Sequence, residues 1–140
     1  MIVVDTGPLV ALLDSDDRHH DRCRRWLASA EGPLIVPVPV LTETCYFVER
    51  DSGPQVEADF LDSFGPDGLF ERADMHGGDW VRIADLIRTY ADLPLGVVDA
   101  SVVAVAERLG ATEVASLDHR HFSVVRPRHV SHFDLVPSLD

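Results

Sequence analysis

The chain contains no lysine; all twelve of its basic residues are arginine. That excludes two kinds of chemistry at once. A P-loop needs its lysine on the nucleotide phosphates, and Schiff-base catalysis needs a lysine amine. Cysteine is nearly absent too. Cys23 and Cys45 are far apart, form no C-x-x-C, and sit in helical patterns beside apolar neighbours. They read as reduced, small core residues of a cytosolic protein rather than as a disulfide or metal framework. No apolar run approaches the roughly 20 residues of a membrane span. The first apolar run has no basic segment before it and is interrupted by Asp5, so it is not expected to be a signal peptide. Repeats and low-complexity stretches are lacking.

What is abundant is negative charge. The net charge is −12 over 140 residues. A length of this order fits one domain, residues 1–140, with enough chain to bury a core. The acidic balance argues against phosphate binding, which normally rests on basic residues. Two features offset this. A bound divalent ion would cancel part of a local carboxylate cluster's charge. The basic residues are also gathered, at Arg18, His19, His20, Arg22, Arg24 and Arg25, and again at Arg120, His121, Arg126, Arg128 and His129. A solvated helix face and a polar tail explain those clusters equally well.

Periodicity gives the elements. Ile2 to Val4 reads as a strand, ended by Asp5 and broken by Gly7-Pro8. A short helix carries Leu9, Val10, Leu12 and Leu13, and a second runs from Asp17 to Ala30 with Cys23, Trp26 and Leu27 inward. Leu34-Ile35-Val36 is apolar throughout, as an interior parallel strand is. A helix over Val40 to Arg50 places Val40, Glu43, Thr44 and Phe47 on one stripe. The next helix opens at Pro54 with Val56, Phe60, Leu61 and Phe64 as its stripe, and Leu69-Phe70 is a short edge strand. Asp74 is expected to cap a helix reaching about Tyr90, with Trp80, Ile83, Ala84 and Ile87 inward. Val98 to Leu109 forms the last long helix, closed by Gly110, with Asp99, Val102, Val103, Ala106 and Leu109 on one face. Glu113 to Leu117 and Phe133 to Val136 complete the strands. Alternation of this kind favours an α/β fold with a parallel sheet and right-handed crossovers.

In such a sheet the carboxyl ends of strands and the starts of the following helices share one edge. Asp5 and Asp118 end strands; Glu43 and Asp99 begin helices. The four carboxylates therefore project toward one edge, where open α/β sheets place their ligands. Two carboxylates about 4 Å apart repel by about 4 kcal/mol at an effective dielectric near 20, so four together call for protons or a cation. Mg²⁺ and Mn²⁺ prefer oxygen donors, and such an ion can lower a water's pKa and stabilise a phosphodiester transition state. Each acid also has a plainer reading. Asp5 and Asp99 could be helix N-caps, Asp118 could close an Asx turn, and Glu43 could reach solvent. Asp92 is a lesser acidic candidate, read as a loop residue. His119 and His121 form H-x-H but lack further ligands at zinc spacing.

The segments V-V-D-T-G-P-L-V-A-L-L, L-T-E-T-C-Y-F-V, L-P-L-G-V-V-D-A-S-V-V-A-V-A-E-R-L-G and V-A-S-L-D-H-R-H-F together resemble the PIN-domain ribonucleases, and among them the VapC toxins of bacterial toxin–antitoxin pairs. The resemblance spans nearly the whole chain in the family's order and spacing. It implies that Asp5, Glu43, Asp99 and Asp118 are the catalytic quartet holding Mg²⁺ or Mn²⁺, with Asp5 and Asp99 the most direct contacts. Thr6 matches the hydroxyl residue after the first Asp, and Ser116 stands where the family has Thr; both would support the carboxylates. The resemblance further implies a PIN-like three-layer α/β/α domain with a short, mostly parallel central sheet ordered 3-2-1-4-5, a homodimer, and endonucleolytic cleavage of RNA by a metal-activated water. It also implies an antitoxin whose C-terminal segment lies in the groove and brings an Arg to the carboxylates. The acidic charge suits such a partner. Two other classes stay open on the residues alone. One is phosphoryl transfer with Asp5 as nucleophile, which lacks its lysine and a second acid two positions on. The other is a PIN-fold module that binds protein without catalysis.

Overall fold

A computed structural model describes residues 1–140. Five strands form one sheet: β1 (Ile2–Val4), β2 (Leu34–Pro37), β3 (Phe70–Ala73), β4 (Glu113–Ala115) and β5 (Asp134–Val136). Their order is 3-2-1-4-5 and every neighbouring pair is parallel. Seven helices connect them: α1 (Thr6–Leu13), α2 (His20–Ser29), α3 (Val38–Ser52), α4 (Pro54–Asp62), α5 (Gly77–Thr89), α6 (Val97–Leu109) and α7 (His119–Val124). The expected α/β architecture is present, and the sheet is wholly rather than mostly parallel.

The strand sequences explain their places. Ile2-Val3-Val4 and Leu34-Ile35-Val36-Pro37 are buried at every position, as central strands covered on both faces must be. Phe70-Glu71-Arg72-Ala73 buries only its two ends, and Asp134-Leu135-Val136 buries no position fully. These are the two edge strands. The core is continuous from the sheet into α6, where every residue from Ala100 to Ala106 is buried. A helix apolar on all sides belongs in the interior. It ends at Gly110, whose φ of 73° is in the left-handed region. Ala111 N–H then donates to the Ala106 carbonyl at 2.9 Å, closing the helix end.

Several expectations needed correction. The helix after β3 is not capped by Asp74, which is exposed and paired with Arg72. Its cap is His76, and the Asp79 carboxylate accepts from the His76 N–H at 2.9 Å. Asp79 also takes the Arg108 guanidinium. This satisfied acid turns inward with Ile83 and Leu86, so α5 is rotated from the apolar stripe read in the sequence, and Trp80 is 51% exposed. Ile87, Leu61 and Leu109 likewise face solvent. The second helix starts at His20 rather than Asp17, and β4 stops at Ala115 rather than Leu117. Between β4 and β5 lies α7, a six-residue helix anchored by buried Phe122, which the periodicity did not register.

Candidate metal centre

The chain leaves β1 toward β2 and β3 on one side, then returns to build β4 and β5 on the other. The direction reverses between β1 and β4, and a crevice opens outside their carboxyl ends. Asp5 is the first residue beyond β1. Its N–H still donates to the Ala115 carbonyl at 2.8 Å, so the parallel ladder fixes its backbone. Gly7-Pro8 then starts α1 at once.

Asp5, Thr6, Glu43, Asp99 and Asp118 all line one open cavity of about 750 Å³ at this point. Each arrives by a separate route. Glu43 is one turn into α3, which begins directly after β2. Asp99 is in the first turn of α6, behind the Gly96 cap. Asp118 caps α7, two residues after Ser116. The cavity mouth carries Arg50 and Arg120. Arg50 is tied to Asp51 and lies 5.1 Å from the Phe47 ring; Arg120 has no carboxylate partner.

The plainer readings of these acids divide. Asp5 stands at the N-cap position of α1 but makes no capping bond. Instead its Oδ2 accepts from Ser116 Oγ at 2.9 Å. Asp99 is no cap either. Asp118 does cap, accepting the His121 N–H with Oδ1 at 3.0 Å, while its Oδ2 lies 3.0 Å from the His121 ring Nδ1. Glu43 is only half-buried, and it faces the cavity.

Asp5 is the electrostatic centre. It is 6% exposed. Burial, and after it the nearby negative charge of Asp99, push its pKa from 3.8 up to about 7, against the hydrogen bond from Ser116. A carboxylate so placed is relieved by a proton or by a cation. The donor set is oxygen-rich, and the Thr6 side chain, also 6% exposed, keeps an Oγ1 without a partner. Both features suit a small divalent ion that takes oxygen ligands and retains waters.

Sequence reasoning weighed one participant only as half of an H-x-H pair and set it aside. His121 Nδ1 lies 3.0 Å from Asp99 Oδ2 and 3.0 Å from Asp118 Oδ2. The available signal was the spacing Asp118 to His121, three residues apart at a helix start, which is the spacing of a capped first turn.

A model of the PIN domain matches residues 2–126. The chain belongs to the PIN-domain family. Ribonuclease VapC26 of Mycobacterium tuberculosis is 28% identical over 136 residues, covering 97% of this chain and all of that relative. Among solved PIN-fold structures, Mycobacterium tuberculosis VapC20, described as a sarcin-ricin loop cleaving toxin, superposes with a TM-score of 0.75 at 20% identity. That match covers 81% of this chain and 87% of VapC20. A toxin–antitoxin complex from Klebsiella pneumoniae gives a TM-score of 0.69 at 17% identity, covering 98% of this chain and 97% of that one. The acidic cavity of this PIN domain therefore sits within a fold whose solved examples include toxins.

Proposed function

We propose that this PIN domain is a metal-dependent endoribonuclease of the VapC toxin type, with residues 1–140 acting as one domain. The observation that carries the reading is the meeting of Asp5, Glu43, Asp99 and Asp118, from four separate segments, in one cavity around a buried, charge-averse Asp5. A binding surface has no need of so costly a gathering. The similarity to Ribonuclease VapC26 over nearly the whole chain supports the same conclusion.

Mg²⁺, or Mn²⁺, is the ion this donor set suits, held by Asp5 and Asp99 most directly with Glu43 and Asp118 completing the carboxylate ring. Such an ion supplies a water of lowered pKa and stabilises charge on the phosphodiester. The protein's own part is positional. Ser116 holds Asp5, the α7 cap holds Asp118, and the start of α6 holds Asp99. Arg120, free of carboxylate partners, and Arg50 at the cavity mouth hold phosphates of the RNA chain.

The partner in this reading is an antitoxin whose basic segment enters the acidic groove, for which a net charge of −12 is favourable. In this reading, which rests on the resemblance to VapC toxins, the protein acts as a homodimer in the cytoplasm. No helix is long and apolar enough to cross a membrane.

Purified protein freed of antitoxin is incubated with a pool of labelled structured RNAs in Mg²⁺, Mn²⁺ or EDTA, as wild type and as Asp99→Asn. Discrete cuts that need the ion and vanish in the variant are expected. Metal-independent cutting, or equal cutting by Asp99→Asn, removes the proposed mechanism. Absence of both cleavage and metal binding leaves the protein-binding module as the better description.

A further inference from the structure

We propose that His121 is a nitrogen ligand of the metal site, beside Asp99 and Asp118, and that it tilts the site toward Mn²⁺ over Mg²⁺. This rests on reading the cavity as a divalent-metal centre, and adds a donor type that a carboxylate quartet lacks.

The local sequence aims the ring. Asp118 caps α7 by taking the His121 N–H, which fixes the helix's first turn and the direction of the His121 side chain. Nδ1 then stands 3.0 Å from Asp99 Oδ2 and 3.0 Å from Asp118 Oδ2. One ring nitrogen carries at most one proton, so it cannot give a full hydrogen bond to both oxygens. The three atoms are grouped within 4.8 Å of one another. Donors at neighbouring corners of an octahedral ion, with bonds of about 2.1 Å, stand about 3.0 Å apart. Nδ1 keeps that spacing to both oxygens.

A second observation points to a ligand in the cavity that Asp99 and Asp118 line. Thr6 lines it with a side chain 6% exposed, and its Oγ1 has no partner. A buried hydroxyl left without a bond calls for an occupant that the protein does not itself provide.

The chemistry of the donors then sets the preference. Mg²⁺ takes oxygen and gives up its waters reluctantly. Carboxylate and water donors suit Mg²⁺ and Mn²⁺ alike, whereas an imidazole nitrogen binds first-row transition ions, of which Mn²⁺ is the weakest binder. A ring nitrogen added to Asp99 and Asp118 thus strengthens Mn²⁺ binding more than Mg²⁺ binding.

The test is pulsed electron paramagnetic resonance on the full-length protein loaded with Mn²⁺. A coupling from a directly bonded ¹⁴N is expected, replaced by the ¹⁵N pattern when the protein is grown on ¹⁵N-histidine. The wild-type protein carries this measurement, so it does not depend on a variant folding. In His121→Ala and His121→Asn the coupling is lost. Calorimetry shows Mn²⁺ affinity lower by about tenfold or more, with Mg²⁺ affinity nearly unchanged. Mn²⁺ bound without a histidine coupling overturns the proposal. So does a coupling that survives His121→Ala, which assigns the nitrogen to another histidine, or an equal loss of both ions. Failure to bind Mn²⁺ at all overturns it together with the metal-centre reading. A histidine coupling in a protein that cuts no RNA sustains the ligand and removes the nuclease. RNA cleavage without the coupling does the reverse.

Discussion

Ser116 joins two of the four carboxylate positions through a single oxygen. Its Oγ donates to Asp5 Oδ2 at 2.9 Å and accepts from the Asp118 N–H at 2.9 Å. The side chain is wholly buried. One hydroxyl thereby sets the distance between the end of β1 and the turn after β4.

Replacing Ser116 with Ala leaves Asp5 without its side-chain donor and the Asp118 N–H without its acceptor. A loss of about 1–3 kcal/mol is expected, the penalty for buried polar groups left unpaired. Divalent-ion affinity falls by about tenfold or more, because the supporting partner of a ligand is gone. Ser116→Thr keeps the hydroxyl and retains most of that affinity. Urea melts and ion-binding titrations check both, and full affinity in Ser116→Ala would sink the positioning role.

Asp5 makes the ion-free protein sensitive to pH. Its folded pKa of about 7 lies above 3.8, so between these values the folded state holds a proton that the unfolded state has released. Stability therefore falls as pH rises through that window. Thermal melts in EDTA should show wild type losing stability from pH 5 to pH 8 relative to Asp5→Asn. Mn²⁺ should restore the wild type at pH 8 far more than the variant. Parallel pH profiles for the two proteins count against the raised pKa.

Arg82 and Glu107 tie α5 to α6. The guanidinium binds both carboxylate oxygens, at 2.7 and 2.9 Å, and Glu107 also accepts the Arg128 N–H at 2.7 Å. Burial opposes the charged form of Glu107, but these donors outweigh it and lower its pKa. Arg82→Ala strands a mostly buried charge and should cost about 2–4 kcal/mol. Removing both partners should cost much less than the sum of the two single changes. Strict additivity in a double-mutant cycle would show the pair to be uncoupled.

Gly110 is held in the left-handed region by the end of α6, and a Cβ built there meets nothing within 4 Å. The penalty for Gly110→Ala is thus conformational alone, about 1–2 kcal/mol. A chemical-denaturation midpoint measures it. A much larger loss would mean that the backbone shift reaches the buried Ala111.

The sequence made the strands and the carboxylates legible for the same reason. A fully apolar run followed at once by an acid, as at Val4-Asp5, marks both a central strand and its functional end. What stayed hidden depends on contacts between distant segments. The ring of His121 meets Asp99 from 22 positions away, and no local pattern records that. The face of α5 was misread because Asp79, a charged residue, turns inward to the His76 N–H and Arg108 while Trp80 turns out. Periodicity ranks residues by apolarity and has no means of seeing a paired buried acid. The six residues of α7 are too few for a helical period to emerge.

The bond between Ser116 and Asp5 spans 111 positions. Asp5 leaves the ribosome well before Ser116, Asp118 and His121. β4 pairs with β1 only when that later segment arrives. Domains close their long-range contacts late, so a growing chain has no assembled acidic cavity until the segment from β4 to α7 has emerged. A copy that ends before Ser116 lacks both the donor that holds Asp5 and the Asp118 carboxylate, so the cavity is never completed.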